Sequence, residues 1–314
     1  MTNVPRSSAW LVLAAALVSL TATTCGPAGP AAATPPQTSP LELLGQWGVH
    51  GEGPGELAQP VGLAVDLNAR VYVADRRSGR LQKFEATGVP LLSYQDAAVR
   101  SASALAVDSG GGIYIADAHE GRIWIRFPEG DLLRNFRVAP QRAHDSSFGF
   151  CVTEDGTVVV PDPDGGRIQT FMSNGRLEAV WKLPPVSTGQ PARPITTAAG
   201  LDEFVYVVDA TGRILKYTGR GAQMATWDAP ADFEAPVRGL AVSRTHLFVL
   251  RGAKPRLDVW TFDGQRVLMD TFGDRFDAAP PSSLYLAVSR DDQVFLLDPA
   301  GPRVLRFRLR PTAP

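Results

Sequence analysis

From Leu41 onward, short apolar runs of about five residues recur along the chain, each bounded by Gly, Pro, Asp or Asn. The clearest is Val71-Tyr72-Val73-Ala74-Asp75, followed by Arg80-Leu81-Gln82-Lys83-Phe84. Pairs of the same kind lie at 113–117 and 122–126, 158–162 and 167–171, 205–209 and 213–217, 247–251 and 256–260, and 294–298 and 303–307. The arginines opening the second runs are 42, 45, 46, 43 and 47 residues apart. Runs rich in Val, Ile, Leu and aromatics between turn residues predict strands, and a fixed period of this length predicts a repeat architecture.

A further apolar run precedes each pair: Gly62-Leu-Ala-Val-Asp66, Ala104-Leu-Ala-Val-Asp108, Gly149-Phe-Cys-Val-Thr153, 195–199, Gly239-Leu-Ala-Val-Ser243 and Tyr285-Leu-Ala-Val-Ser289. A fourth follows after a turn containing Gly88, Gly130, Gly175, Gly221 or Gly264, and the fourth runs are marked by Trp47, Tyr94, Phe136, Trp181, Trp227 and Phe272. Four strands per unit of ~45 residues predict a propeller blade. The first marker, in 41–48, precedes the first complete unit, and the last unit stops after its third run. The expected architecture is therefore all-β: a six-bladed β-propeller over 41–314, whose N-terminal strand completes the last blade and closes the ring.

Residues 45–84, with Gly53-Pro-Gly-Glu-Leu57, Pro60-Val-Gly-Leu-Ala-Val-Asp66 and the Val71 and Arg80 runs, resemble an NHL repeat. The resemblance is strong in the first two units and weaker in the third to sixth. WD40 propellers carry Gly-His and Trp-Asp marks, and kelch propellers paired glycines; neither pattern is regular here.

Composition narrows the class. The chain has 314 residues, 44% hydrophobic, with 31 Lys+Arg against 32 Asp+Glu and a net charge of −1. That excludes a disordered chain and gives no bulk attraction to nucleic acid. Two cysteines make no disulfide scaffold, while Gly 30 and Pro 26 supply frequent turns.

The first forty residues read differently. Residues 9–20 form an apolar core of signal-peptide length after Arg6, too short to span a bilayer, which takes roughly 20 residues. The following Thr21-Ala22-Thr23-Thr24-Cys25-Gly26 resembles the lipobox of bacterial lipoproteins, which implies a lipid on Cys25. Ala22 and Thr24 depart from the usual Leu and small residue, and ordinary cleavage nearby is the alternative. Residues 25–40, rich in Ala and Pro, suit a semi-extended tether. The expected organisation is thus a signal peptide over 1–24, a tether over 25–40 and the propeller over 41–314. Removing 1–24 takes away Arg6 and no acid, so the net charge becomes −2.

The most regular polar pair is Asp–Arg: Asp75/Arg80, Asp117/Arg122, Asp162/Arg167, Asp209/Arg213 and Asp298/Arg303. Recurrence favours a structural role, with Asp capping a turn and pairing the following Arg. The fifth unit has Arg251 instead, so either Asp258 compensates or Arg251 is free for a ligand.

Propellers of the amidating-lyase kind bind zinc through histidines near the starts of their innermost strands, and those positions hold none here. His50, His119 and His144 fall in loops on one expected face and are weak metal candidates; His246 is expected on the opposite one. Lactonase-type propellers bind calcium through Glu, Asn and Asp in the channel, and this chain has four asparagines. No Gly-x-Ser-x-Gly elbow occurs, and Cys151 reads as a small buried hydrophobe. No catalytic residue, cofactor or resident metal is assigned.

What remains is a loop face carrying Arg76, Arg142, Arg193, Arg238 and Arg251, with Arg193, Arg238 and Arg251 expected nearest the channel mouth. The function expected from the sequence is a non-enzymatic, monomeric binding or scaffolding propeller of the cell envelope. It would take a protein, peptide or glycan on this face and touch the membrane only through its lipid. The alternative is a metal-dependent lyase or hydrolase.

Overall fold

The computed structural model describes residues 39–117, 120–138, 149–186, 189–272 and 284–310. The chain divides into residues 1–38 and a compact unit, Ser39–Pro314. Strand β1 (Leu41–Trp47) comes first. Blade one is β2 (Pro60–Val65), β3 (Val71–Asp75), β4 (Arg80–Phe84) and β5 (Pro90–Gln95). Blade two is β6 (Ala104–Val107), β7 (Ile113–Asp117), β8 (Arg122–Arg126) and β9 (Leu132–Arg137). Blade three holds β10 (Cys151–Val152), β11 (Val158–Asp162), β12 (Arg167–Phe171) and β13 (Leu177–Lys182). Blade four holds β14 (Pro194–Ala199), β15 (Phe204–Asp209), β16 (Ile214–Thr218) and β17 (Gln223–Trp227). Blade five holds β18 (Val237–Val242), β19 (Leu247–Arg251), β20 (Arg256–Trp260) and β21 (Arg266–Asp270). Blade six is β22 (Tyr285–Val288), β23 (Gln293–Asp298) and β24 (Arg303–Leu309), with β1 added at its outer edge.

Each blade is an antiparallel four-stranded sheet, and the innermost strands β2, β6, β10, β14, β18 and β22 touch in cyclic order. The expected six-bladed propeller is therefore the fold. Strand β1 runs antiparallel to β24, from Leu41 opposite Leu309 to Trp47 opposite Val304. The first strand thus hydrogen-bonds the last, so the described ends of the chain are held together within one blade.

The core is divided among the blade interfaces. One cluster joins blades one and two around Tyr72, Leu81 and Val99, another joins blades five and six around Phe248, Leu257 and Phe307, and the remaining four fill the other interfaces. A second strand therefore packs a neighbouring blade on both of its faces. This is why β3, β7, β11, β19 and the last five residues of β15 and β23 are buried at every position and read as unbroken apolar runs. Outer strands meet solvent on one side and are largely exposed, as in β5 and β17.

The outer-strand aromatics lock successive blades. Trp47 of blade six lies 4.5 Å from Phe84 of blade one, and Trp181 of blade three lies 5.7 Å from Tyr217 of blade four. Phe136 and Phe272 pack in the same way on Phe171 and Phe307. Each such pair adds ring-on-ring contact to the apolar area it buries.

Candidate functional site

Antiparallel strands send alternate turns to opposite sides of the ring. One side carries the turns after each innermost strand and each third strand. The other carries the turns after each second strand and the links between blades.

On the first side, two of the recurrent aspartates are structural. Asp66 accepts from Asn68 and Arg70 backbone N–H groups at 2.9 Å and from the Tyr72 hydroxyl at 3.2 Å. Asp108 repeats this with Gly110, Gly112 and the Tyr114 hydroxyl at 3.0 Å. Asp202 takes the Tyr206 hydroxyl at 2.7 Å. Burial, reinforced by these carboxylates, pushes all three tyrosines well above the ordinary phenol value. The channel ends here in a cavity of about 140 Å3 with walls from all six blades, among them Asp66, Asp108, Glu154 and Arg290. Glu154 and Arg290, 3.5 Å apart, join blades three and six across it.

On the second side, another cavity of about 100 Å3 opens at the channel mouth, again with a contribution from every blade. The cross-strand register places Gly62, Ala104, Thr196, Gly239 and Tyr285 at equivalent points. Tyr285 is the one large side chain among them. Its hydroxyl is driven above the ordinary value by burial, partly offset by the positive charge of Arg76. Arg238 sits between Val237 and Gly239, where the register of β18 shifts. A bulge re-aims its residue, and Arg238 is part of the cavity wall. Arg238 donates to Gly252 O at 2.6 Å and Ala253 O at 3.4 Å, and burial lowers its pKa. Arg76 donates to Ala102 O at 2.5 Å and lies within electrostatic reach of Tyr285. Arg193, exposed, precedes β14 directly.

The structure thus brings Arg238 and Tyr285 to one mouth with Arg76 beside them. Tyr285 is the member that sequence reading missed; its signal was a large residue in a column of small ones. Arg251 does not belong there. It is 1% exposed, its guanidinium held by Asp258 and bonded to Asp232 O at 3.0 Å. Asp258, the alternative partner, compensates for the missing aspartate. Arg142, His119, His144 and Cys25 lie outside the described residues. His50 is exposed in the link before β2, and His246 sits on the other side, 3.4 Å from Asp292. Among the described residues, no three His, Cys, Asp or Glu side chains converge as metal ligands.

Two of the Asp–Arg pairs also need correction. Arg167 and Arg213 do bond Asp162 and Asp209, at 2.7 and 2.8 Å, and Arg303 reaches Asp298 at 3.4 Å. Asp75 instead spends its oxygens on Ala58 N, Gln59 N and both Ser78 donors, so Arg80 turns to Glu52 O. Arg122 turns to Asn135 and Glu120. The basic face is also partly neutralised, since Glu52 pairs with Arg77 and Glu234 with Arg256. Cys151 is buried, as expected, and burial pushes its thiol up to about 12.

Comparison with known proteins places this geometry. Residues 57–84 match the NHL repeat model. No curated protein matches the sequence. Among solved structures, a streptogramin B lyase aligns with a TM-score of 0.56 at 13% identity, over 86% of this chain and 98% of the other. Virginiamycin B lyase from Staphylococcus aureus aligns with a TM-score of 0.59 at 11% identity, over 86% and 100%. Its catalytically inactive histidine-to-alanine variant with quinupristin aligns with a TM-score of 0.58 at 11% identity, over the same shares. At these identities the likeness concerns the fold.

Proposed function

We propose that this chain, an NHL-repeat six-bladed propeller, is an exported, lipid-anchored binding module that takes an anionic group of an envelope peptide, protein or glycan at its second-side mouth. The observation that supports this is the meeting of Arg238 and Tyr285 on the cavity wall, with Arg76 next to them and Arg193 at the rim. A guanidinium recognises carboxylate or phosphate through paired N–H donors, and a tyrosine hydroxyl adds one more. The small cavity suits the end of a chain entering the mouth; whole-ligand pockets are usually ~300 Å3 or more.

Titrating the full-length protein with acidic peptides and anionic glycans tests this. The combined Arg76→Ala, Arg193→Ala and Arg238→Ala variant is expected to bind at least ~10-fold more weakly, the loss of one or two charge-assisted hydrogen bonds. Equal binding by the variant overturns the site. Palmitate incorporation that disappears in Cys25→Ala tests the anchor separately.

The likeness to virginiamycin B lyase favours a second reading, a lyase or hydrolase working in the same channel. Stoichiometric zinc or calcium in purified protein, or consumption of quinupristin, would replace the binding reading with that one.

A further inference from the structure

Among the described residues, large apolar side chains left in solvent gather at the turns after the third strands and at the first residues of the outer strands. Leu91 of blade one, Phe127 and Leu132 of blade two, Leu177 of blade three, Met224 of blade four and Val267 of blade five are 45–57% exposed. Those farther along the outer strands, Leu43, Leu44, Val180 and Met269, are less exposed at 38–43%, Leu67 lies in a first-strand turn of the same side, and Val49 in a link on the other. Single exposed apolar residues are ordinary; the same place filled on successive blades is not.

Blade six has no such turn, because β24 is its third strand and β1 its outer one. The two ends of the described chain take its place: Arg310 N donates to Pro40 O at 2.9 Å, and the Ser39 hydroxyl bonds Leu41 O and Asp270. Ser39, from which residues 26–38 lead back to Cys25, therefore leaves the ring within the same circle of turns.

We propose that this circle is a membrane-contacting collar: the propeller rests its third-to-outer-strand turns on the lipid bilayer that holds its own anchor, and points the Arg238–Tyr285 mouth away from it. The orientation rests on the Cys25 anchor; the collar's own affinity for lipid does not. Three observations favour a bilayer over a protein. The apolar positions sit one blade apart, each turn also carrying polar residues such as Glu129, Asp131 or Arg176, so a fluid interface fits them better than a rigid partner. A Pro-rich chain from Cys25 to Ser39 spans about 43 Å at ~3.1 Å per residue, enough for the collar to lie flat. Finally, the first-strand turns on this side carry Asp66, Asp108, Glu154 and Asp202. Attraction must then be apolar, and zwitterionic lipid should serve as well as anionic lipid.

Full-length protein on phosphatidylcholine vesicles containing a photoactivatable acyl chain gives the test. Adducts are expected on the peptides holding Phe127, Leu132 and Met224, and not on the peptide holding Lys254, which is exposed on the opposite side. Adducts missing from the collar, or equally dense at Lys254, overturn the proposal. In the Cys25→Ala background, Phe127→Glu with Leu132→Glu should weaken vesicle flotation about tenfold or more, with little effect of salt on the parent. Unchanged flotation overturns the collar, as does a collar-dependent dimer in sedimentation. The mass of the N-terminal peptide reads the anchor independently, so loss of the anchor reading is distinguishable from loss of the collar.

Discussion

Glu154 and Arg290 stand on blades three and six, opposite one another in the ring, and their charged groups meet 3.5 Å apart over one end of the channel. Arg290 is also held by its backbone, whose carbonyl accepts from Arg244 N at 3.3 Å. The pair spans the first-side cavity, at the end of the channel opposite Arg238. Because the Glu154 side chain is 53% exposed and Arg290 28%, water screens the attraction, and such pairs contribute ~1 kcal/mol or less. Glu154→Ala should therefore lower urea-unfolding stability by no more than about 1 kcal/mol and leave binding at the opposite mouth unchanged. A drop in binding would show that ligand reaches through the channel.

The pairing of Arg251 with Asp258 is of another kind, since both side chains are 1% exposed. Removing one partner of a buried ion pair strands a charge and costs about 3–5 kcal/mol, whereas replacing both with apolar groups of similar size is often neutral. Asp258→Ala is expected to fall in that range in equilibrium unfolding. Arg251→Met combined with Asp258→Leu should recover most of the loss. If the double variant is as unstable as the single one, the further contacts of Arg251 to Asp232 carry the effect.

Stability should depend on pH at both extremes. The hydrogen bond from Arg266 holds the Asp232 carboxyl below its ordinary 3.8, and the Thr153 hydroxyl does the same for Asp155. A carboxyl depressed in the fold contributes stability that is full above its unfolded pKa and lost as pH falls through the folded one. Urea midpoints should thus hold from pH 7 to about 5 and decline below about 4, with a shallower decline in Asp232→Asn. On the alkaline side, Cys151 is raised from 9.0 to about 12 and Tyr217 from 10.0 to about 12, both chiefly by burial. Acids raised in the fold lose their contribution as pH climbs past the unfolded values, so stability should fall between about 9 and 12. At neutral pH a thiol reagent should label Cys151 only after unfolding. With lipid on Cys25, native protein gives no reactive thiol and unfolded protein gives one; a native reactive thiol would argue against the lipid.

The blades and their closure were legible in the sequence because each is a local pattern repeated at a fixed interval. Burial on both faces makes the second strands apolar throughout, and the lone β1 with its Trp47 announces a blade begun at one end and finished at the other. The site was less legible. Whether a guanidinium reaches the mouth depends on a one-residue register shift at Arg238 and on which carboxylate lies within reach of Arg251. Neither is written in spacing. Tyr285 was hidden by its company, since Tyr285-Leu-Ala-Val reads as one more apolar strand. Only the register shows that it occupies the position held elsewhere by Gly62, Ala104, Thr196 and Gly239.

Two separate sequence markers, the turn glycines and the outer-strand aromatics, prove to be one device. Gly221 has φ +85°, and a Cβ built there would lie 2.2 Å from the ring of Trp181 in the preceding blade. Gly88, Gly130, Gly175 and Gly264 meet Trp47, Tyr94, Phe136 and Trp227 in the same way. The glycine is required twice, once for its left-handed backbone and once for the space its neighbour's ring occupies. Gly221→Ala should therefore combine left-handed strain of about 1–2 kcal/mol with overpacking of about 1–3 kcal/mol. Gly189 supplies the control, with φ +76° and, among the described residues, nothing within 4 Å of its Cβ position. Gly189→Ala should show the strain alone. Equal losses for the two variants in urea unfolding would mean the aromatic ring yields freely. A larger loss at Gly221, eased by Trp181→Leu in the double variant, would show that ring and glycine hold blades three and four together as a pair.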